Sequence, residues 1–139
     1  MTERMITEAD TEEIRSLFLR QAAAETAHDI EGMSAVLART TYGQPDPVNF
    51  VARAYHFWGR EAVLDHFRTV FMGTWRFEPR VEEIRVLPID ADVAHIYAPT
   101  DITTGSAAAS QTSLFLVNEF AVRTRDGWRI AAIVPVPGK

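Results

Sequence analysis

At 139 residues, 47% hydrophobic and 24% charged, the chain has the size and composition of one folded domain spanning 1–139. Its net charge of −5 argues against nucleic acid as a partner, because nucleic acid is bound mainly through Lys and Arg at phosphates. It has no cysteine, which excludes disulfides, thiolate metal sites and cysteine nucleophiles and suits a reducing cytoplasm.

The amino-terminal residues show no signal-peptide pattern, and no stretch approaches the ~20 apolar residues of a membrane span, so no membrane partner is expected. Thr7-Glu8-Ala9-Asp10 reads as a helix start, with a capping threonine and acidic first turn. Ile14, Leu17 and Phe18 then mark an apolar stripe that passes through Gln21 toward His28. Asp29 caps a second short helix, Ile30 to Ala38, with Met33, Val36 and Leu37 inward. Pro45 and Pro47 break the helical pattern, and the aromatic and β-branched segment Val48 to Trp58 reads as one strand or two short ones. Gly59-Arg60-Glu61 opens a third helix, with Val63, Phe67, Val70 and Phe71 on one face and His66 at its flank; Gly73 ends it.

The remainder is strand. Trp75, Phe77 and Val81 alternate with charged residues, and Ile84 and Val86 take the other parity, so a bulge is expected near Glu82-Glu83. Val93 to Thr103 is a further strand, and Thr104 to Gln111 is small and polar enough to be a mobile loop. Arg125-Asp126-Gly127 makes a tight turn before the last strand, Trp128 to Val134. Helices early and a meander late predict an α+β domain: a strongly curved antiparallel sheet wrapped around three helices, a cone-shaped, cystatin-like roll.

Asn118 stands out within the apolar run Leu114–Val122. Strand alternation puts it on one face with Leu114, Leu116, Phe120 and Val122. An amide on such a face is either bonded internally or points into a cavity, because leaving it unpaired costs roughly 1–3 kcal/mol. The second option predicts a cavity of about 300 Å³ or more beside Asn118 and Gln21.

Three segments carry a resemblance. They are Ala27-His28-Asp29-Ile30-Glu31-Gly32-Met33, the helix opening Trp58-Gly59-Arg60-Glu61-Ala62-Val63-Leu64-Asp65-His66-Phe67, and the closing hairpin from Asn118 to Ile130. Together with the element order, they make the chain similar to the nuclear transport factor 2-like superfamily, the fold of ketosteroid isomerase and the SnoaL-like polyketide cyclases. The helix opening and hairpin look closest to small actinobacterial members, some similar to accessory proteins of polyketide and enediyne pathways. The resemblance implies that Asn118 falls where ketosteroid isomerase has a protonated aspartic acid donating to an oxyanion, and Gln21 where it has a tyrosine. The family's general base would fall on Asn49 or Phe50, neither of which accepts a proton at neutral pH.

Other groups are candidates. His66 and His56 flank the third helix start and are possible bases. Asp101, sharing a parity with Tyr97, stands in for the missing base if that face is concave. Tyr42, Phe50, Tyr55, Trp58 and Trp75 are candidates for an aromatic lining. Asn118, Asp101 and His66 are thus the catalytic candidates, and Gln21, Phe50, His56, Trp58, Phe71 and Tyr97 the ligand contacts. No motif for a nicotinamide, a flavin, a phosphate or a metal is present, so no cofactor is expected. The expectation is an isomerase, cyclase or dehydratase acting by proton transfer on a hydrophobic, oxygenated, polyketide-like molecule, or a non-catalytic binder of such a molecule, as a homodimer.

Overall fold

The computed structural model describes residues 5–41 and 43–139. Its helices are α1 (Glu8–Thr26), α2 (Ile30–Val36) and α3 (Arg60–Val70). Its strands are β1 (Asn49–Val51), β2 (His56–Trp58), β3 (Thr74–Pro79), β4 (Arg85–Asp90), β5 (Val93–Gly105), β6 (Ser110–Thr124) and β7 (Gly127–Pro137). The sheet runs β2-β1-β7-β6-β5-β3, with β4 also on β5. Every pairing is antiparallel except β1 with β7, which is parallel. The α+β expectation holds.

Local chemistry explains the helix ends. Thr7 and Asp10 form a reciprocal capping box at α1, and the Asp29 carboxylate accepts from Gly32 N–H at α2. Gly59 precedes α3 with φ +94°, a conformation that strains other residues. The α3 cap comes from outside the helix, as the Asp46 carboxylate accepts from Arg60 N–H at 2.8 Å.

The parity change between Phe77 and Ile84 arises not from a bulge but from a 3-10 turn, Val81–Glu83, which separates β3 from β4. Both strands then pair with β5, β3 along its second half and β4 along its first. The expected loop at 104–111 is also shorter than predicted. The strands run to Gly105 and from Ser110, and Ser106 and Ala109 exchange backbone hydrogen bonds across the turn.

α1 packs on the inner face of the sheet against β3, β4 and β7. Ile14, Leu17 and Phe18 meet Ile96, Val117, Ile130 and Trp128 in one core cluster. Each such side chain contributes about 1.5–3 kcal/mol on burial. The amino end of α1 is pinned to the closing hairpin: Arg123 donates to both Asp10 oxygens, stacks 4.8 Å over Trp128, and Trp128 Nε1 donates to Asp10. The Arg123 guanidinium holds the Asp10 carboxyl well below the usual carboxylate range.

Arg60 is the main polar fastener of the helical layer. Its buried guanidinium donates to the carbonyls of Ser34, Leu37 and Ala38 and to Ser34 Oγ, closing the carboxyl end of α2. Arg60→Met keeps the stem and removes the donors, stranding these carbonyls. A loss of about 2 kcal/mol in urea unfolding is expected. A change under about 0.5 kcal/mol would show that water replaces the guanidinium.

Candidate functional site

The α1 stripe continues from Phe18 through Gln21 to Glu25, spacings of three and four that keep one helix face inward. Glu25 therefore points into the protein one residue before the helix ends. The end itself is fixed to β3. Thr26 Oγ1 donates to Phe77 O and accepts from Phe77 N–H, and His28 Nε2 donates to Trp75 O at 2.9 Å. His28 holds a left-handed backbone conformation, φ 57°, stabilised by that bond and by stacking on Phe71 at 5.0 Å. This clamp places the Trp75 indole over Glu25, and Trp75 Nε1 donates to Glu25 Oε1 at 3.0 Å.

Glu119 enters from β6. On that strand the inner face carries Val117, Glu119 and Ala121, with Glu119 between Ile96 of β5 and Ile133 of β7. Gln21 joins the two acids: its Nε2 donates to Glu25 Oε2 and to Glu119 Oε2, both at 2.8 Å. All three side chains are buried to 1% exposure or less. Burial penalises charge, so Glu25 is pushed up from 4.5 to about 8, against the opposing bonds from Gln21 and Trp75. Glu119 is raised well above its ordinary value by burial and then by Glu25.

Glu25 is also the polar end of a cavity of about 100 Å³. Phe50, Phe67, Phe77, Val117 and Ile133 line it, and the half-exposed Tyr55 and exposed Thr104 mark its mouth. Two surface clefts share Tyr55 with it. A larger open groove of about 820 Å³ lies elsewhere, between the α2–β1 connection and the β6–β7 hairpin; Arg123 there is already paired with Asp10 and Asp92.

The expected site residues are mostly dispersed. Asn118 lies on the outer face and not beside the cavity, accepting from His95 Nε2 at 2.8 Å and donating to Leu116 O at 3.1 Å. The parity inference placed it wrongly because both faces of β6 are largely apolar. Tyr97, its cross-strand partner, is outside with it. Asp101 is also on the outer face, held by Arg80 at 3.1 Å, so that face is not the concave one. Gln21 does face inward, yet both its N–H groups are taken by carboxyls, which removes it as an oxyanion donor.

Phe50 lines the cavity, while Trp58 is 64% exposed with His56 beside it at 5.3 Å. Phe71 stacks on His28 away from the cavity. His66 stands behind the aromatic wall, packed on Phe50, Phe57 and Tyr55; its Nε2 has no partner, and burial lowers it to about 4, so it stays neutral. Tyr42 lies outside the described residues. Among the described residues no three metal-ligating side chains are grouped, and no helix is long and apolar enough to cross a membrane.

The raised and lowered groups act on stability in opposite directions. Glu25's folded value near 8 exceeds its ordinary 4.5, so its contribution is whole below 4.5 and is withdrawn as pH rises to about 8. His66 is the reverse: its contribution is whole above 6.5 and is lost as pH falls toward about 4. Between about 6.5 and 8 the His66 contribution is whole and the Glu25 contribution is being withdrawn. In that window the unfolding free energy should fall with pH, and less so in Glu25→Gln. An undiminished fall in the variant would assign it to other groups.

Known proteins give the context. The SnoaL-like domain profile matches residues 14–134. No curated protein sequence matches the chain. Among solved structures, a candidate dehydratase of the nuclear transport factor 2-like family from Streptomyces avermitilis superposes with TM-score 0.79 at 17% identity, covering 94% of this chain and 97% of that one. A candidate aromatic ring hydroxylase from Novosphingobium aromaticivorans gives 0.81 at 16%, covering 96% and 92%. A candidate calcium/calmodulin-dependent protein kinase type II association domain from Thiobacillus denitrificans gives 0.66 at 23%, covering 100% of both. At these identities the structures speak to fold alone. The profile match spans most of the sequence, and the chain belongs to the SnoaL-like domain family.

Proposed function

We propose that the chain takes a small, mainly apolar, oxygen-bearing molecule into the cavity and moves a proton on it, with Glu25 as the acid–base group. One observation carries this reading: among the described lining residues Glu25 is the one carboxyl, set in apolar walls with both oxygens held by donors. A value near 8 suits a group that must both take and give a proton near neutrality. Ionised, it accepts a proton from a carbon next to a carbonyl. Protonated, it returns that proton to another carbon, giving isomerisation, or to a hydroxyl that leaves as water, giving dehydration. The Tyr55 and Thr104 hydroxyls at the mouth are the donors nearest to hand for the ligand's oxygen.

Volume sets the ligand's size. About 100 Å³ is below the usual ~300 Å³ pocket and below the ~150 Å³ that admits benzene. A polyketide-sized substrate would enter by one end, its remainder lying in the clefts beside Tyr55. A non-catalytic binder is the second reading, favoured by the absence of a second carboxyl and of any imidazole among the described lining residues.

The separating experiment screens small acyclic enones and β-hydroxy ketones, within the cavity's size limit, against wild type and Glu25→Gln. The expected result is turnover lowered by about 10²-fold or more in the variant, with binding of the same ligand retained. Binding without turnover in either protein would support the binder reading. We also propose a homodimer through the outer sheet face, where Leu87, Ile89 and Val136 are exposed. A dimer mass by light scattering is expected, and a monomer for Leu87→Lys with Ile89→Lys; a wild-type monomer would refute it.

A further inference from the structure

Three buried side-chain atoms have no hydrogen-bond partner among the described residues, and two belong to side chains already bonded to each other: Gln21 Oε1 and Glu119 Oε1. Both are acceptors if Glu119 is ionised, and both then bear the full penalty of burial without a donor. One proton removes the difficulty. Placed on Glu119 Oε1, it makes the acid a donor to Gln21 Oε1, while Gln21 Nε2 donates back to Glu119 Oε2. The acid and the amide then close a two-bond ring. Glu25 differs, since both of its oxygens already have donors, Gln21 and Trp75, which support its ionised form.

We propose that Glu119 is a carboxylic acid kept protonated through neutral pH, and that by ringing with the Gln21 amide it fixes the second Gln21 N–H on Glu25, making Glu119 a positioning residue for the working carboxyl. Without it the amide is free to turn its oxygen toward Glu25 and favour the protonated form.

The surroundings agree. Glu119 is flanked by Ile96 on β5, Ile133 on β7, and Val117 and Ala121 on its own strand, and from α1 it meets Gln21 and Glu25. No cation contributes to either acid. No hydrogen bond links an imidazole to either acid: His28 bonds Trp75 O, and His66 packs in the aromatic cluster with Phe57.

The significance of this inference rests on Glu25 being the working group, but its test does not need a substrate. Trp75 Nε1–H bonds Glu25, so its proton NMR resonance reports Glu25's ionisation. In wild type it should titrate near pH 8, and in Glu25→Gln it should not titrate there. Glu119→Gln preserves the ring as an amide–amide pair, so the midpoint should move by less than about half a pH unit and the thermal midpoint should hold. Glu119→Leu breaks the ring, and the midpoint should rise by about one pH unit or more.

A Glu119→Gln midpoint lower by about one pH unit or more would show that Glu119 carries charge and overturn the proposal, as would an unmoved midpoint in Glu119→Leu. Should the leucine variant not fold, infrared spectra of Glu25→Gln decide: with Glu25 removed, a protonated carboxyl band persisting at pH 7 is expected, and its absence refutes the ring. If these results hold while Glu25→Gln retains turnover, the positioning stands and the functional reading alone falls.

Discussion

The structure turns on a desolvation problem: two carboxyls, from α1 and β6, are buried together with one amide and no cation between them. Pairing opposite charges usually makes buried carboxylates tolerable. Here burial raises both acids, which keeps protons on them and leaves Glu25 able to exchange its proton near neutral pH. The rest follows from holding that arrangement. The Thr26 and His28 bonds to β3 bring Trp75 to Glu25, and the closing hairpin fastened by Arg123 and Trp128 keeps α1 on the sheet. Such a group is costly to stability, and that cost is a common mark of a functional site.

The chemistry at the cavity follows from its asymmetry. One wall offers a carboxyl held by two donors, the others offer hydrocarbon, and the mouth offers two hydroxyls. A low-dielectric surrounding strengthens any hydrogen bond made there. The fold itself is shared by candidate enzymes and a candidate association domain, so these side chains, not the architecture, carry the functional argument.

The sequence made the architecture legible because its signals were local. The Thr7 and Asp29 caps, the 3.6-residue stripe through Ile14 and Phe18, and the Asp126-Gly127 turn each determine a piece of the fold without long-range information. The site was less legible. Period-two alternation cannot tell inside from outside when both faces of a strand are apolar, and β6 is such a strand. Asn118 and Glu119 were equally anomalous in that run, and the parity of small residues, Val117 and Ala121, marked the inner face. Glu25 was within reach, since it lies four residues after Gln21 on the same stripe and seven after Phe18. It was obscured because helix carboxylates are usually solvated, and its long-range neighbours Trp75, fifty residues away, and Glu119 are not visible in the local pattern.

The most direct measurement is the side-chain carboxyl carbon NMR spectrum across pH, with Glu25 and Glu119 assigned by substitution. At pH 7 the Glu25 and Glu119 carboxyls should still be in their protonated positions. If both carboxyls are in their ionised positions at pH 7, the buried acids carry charge at neutrality, and the account of the site is wrong.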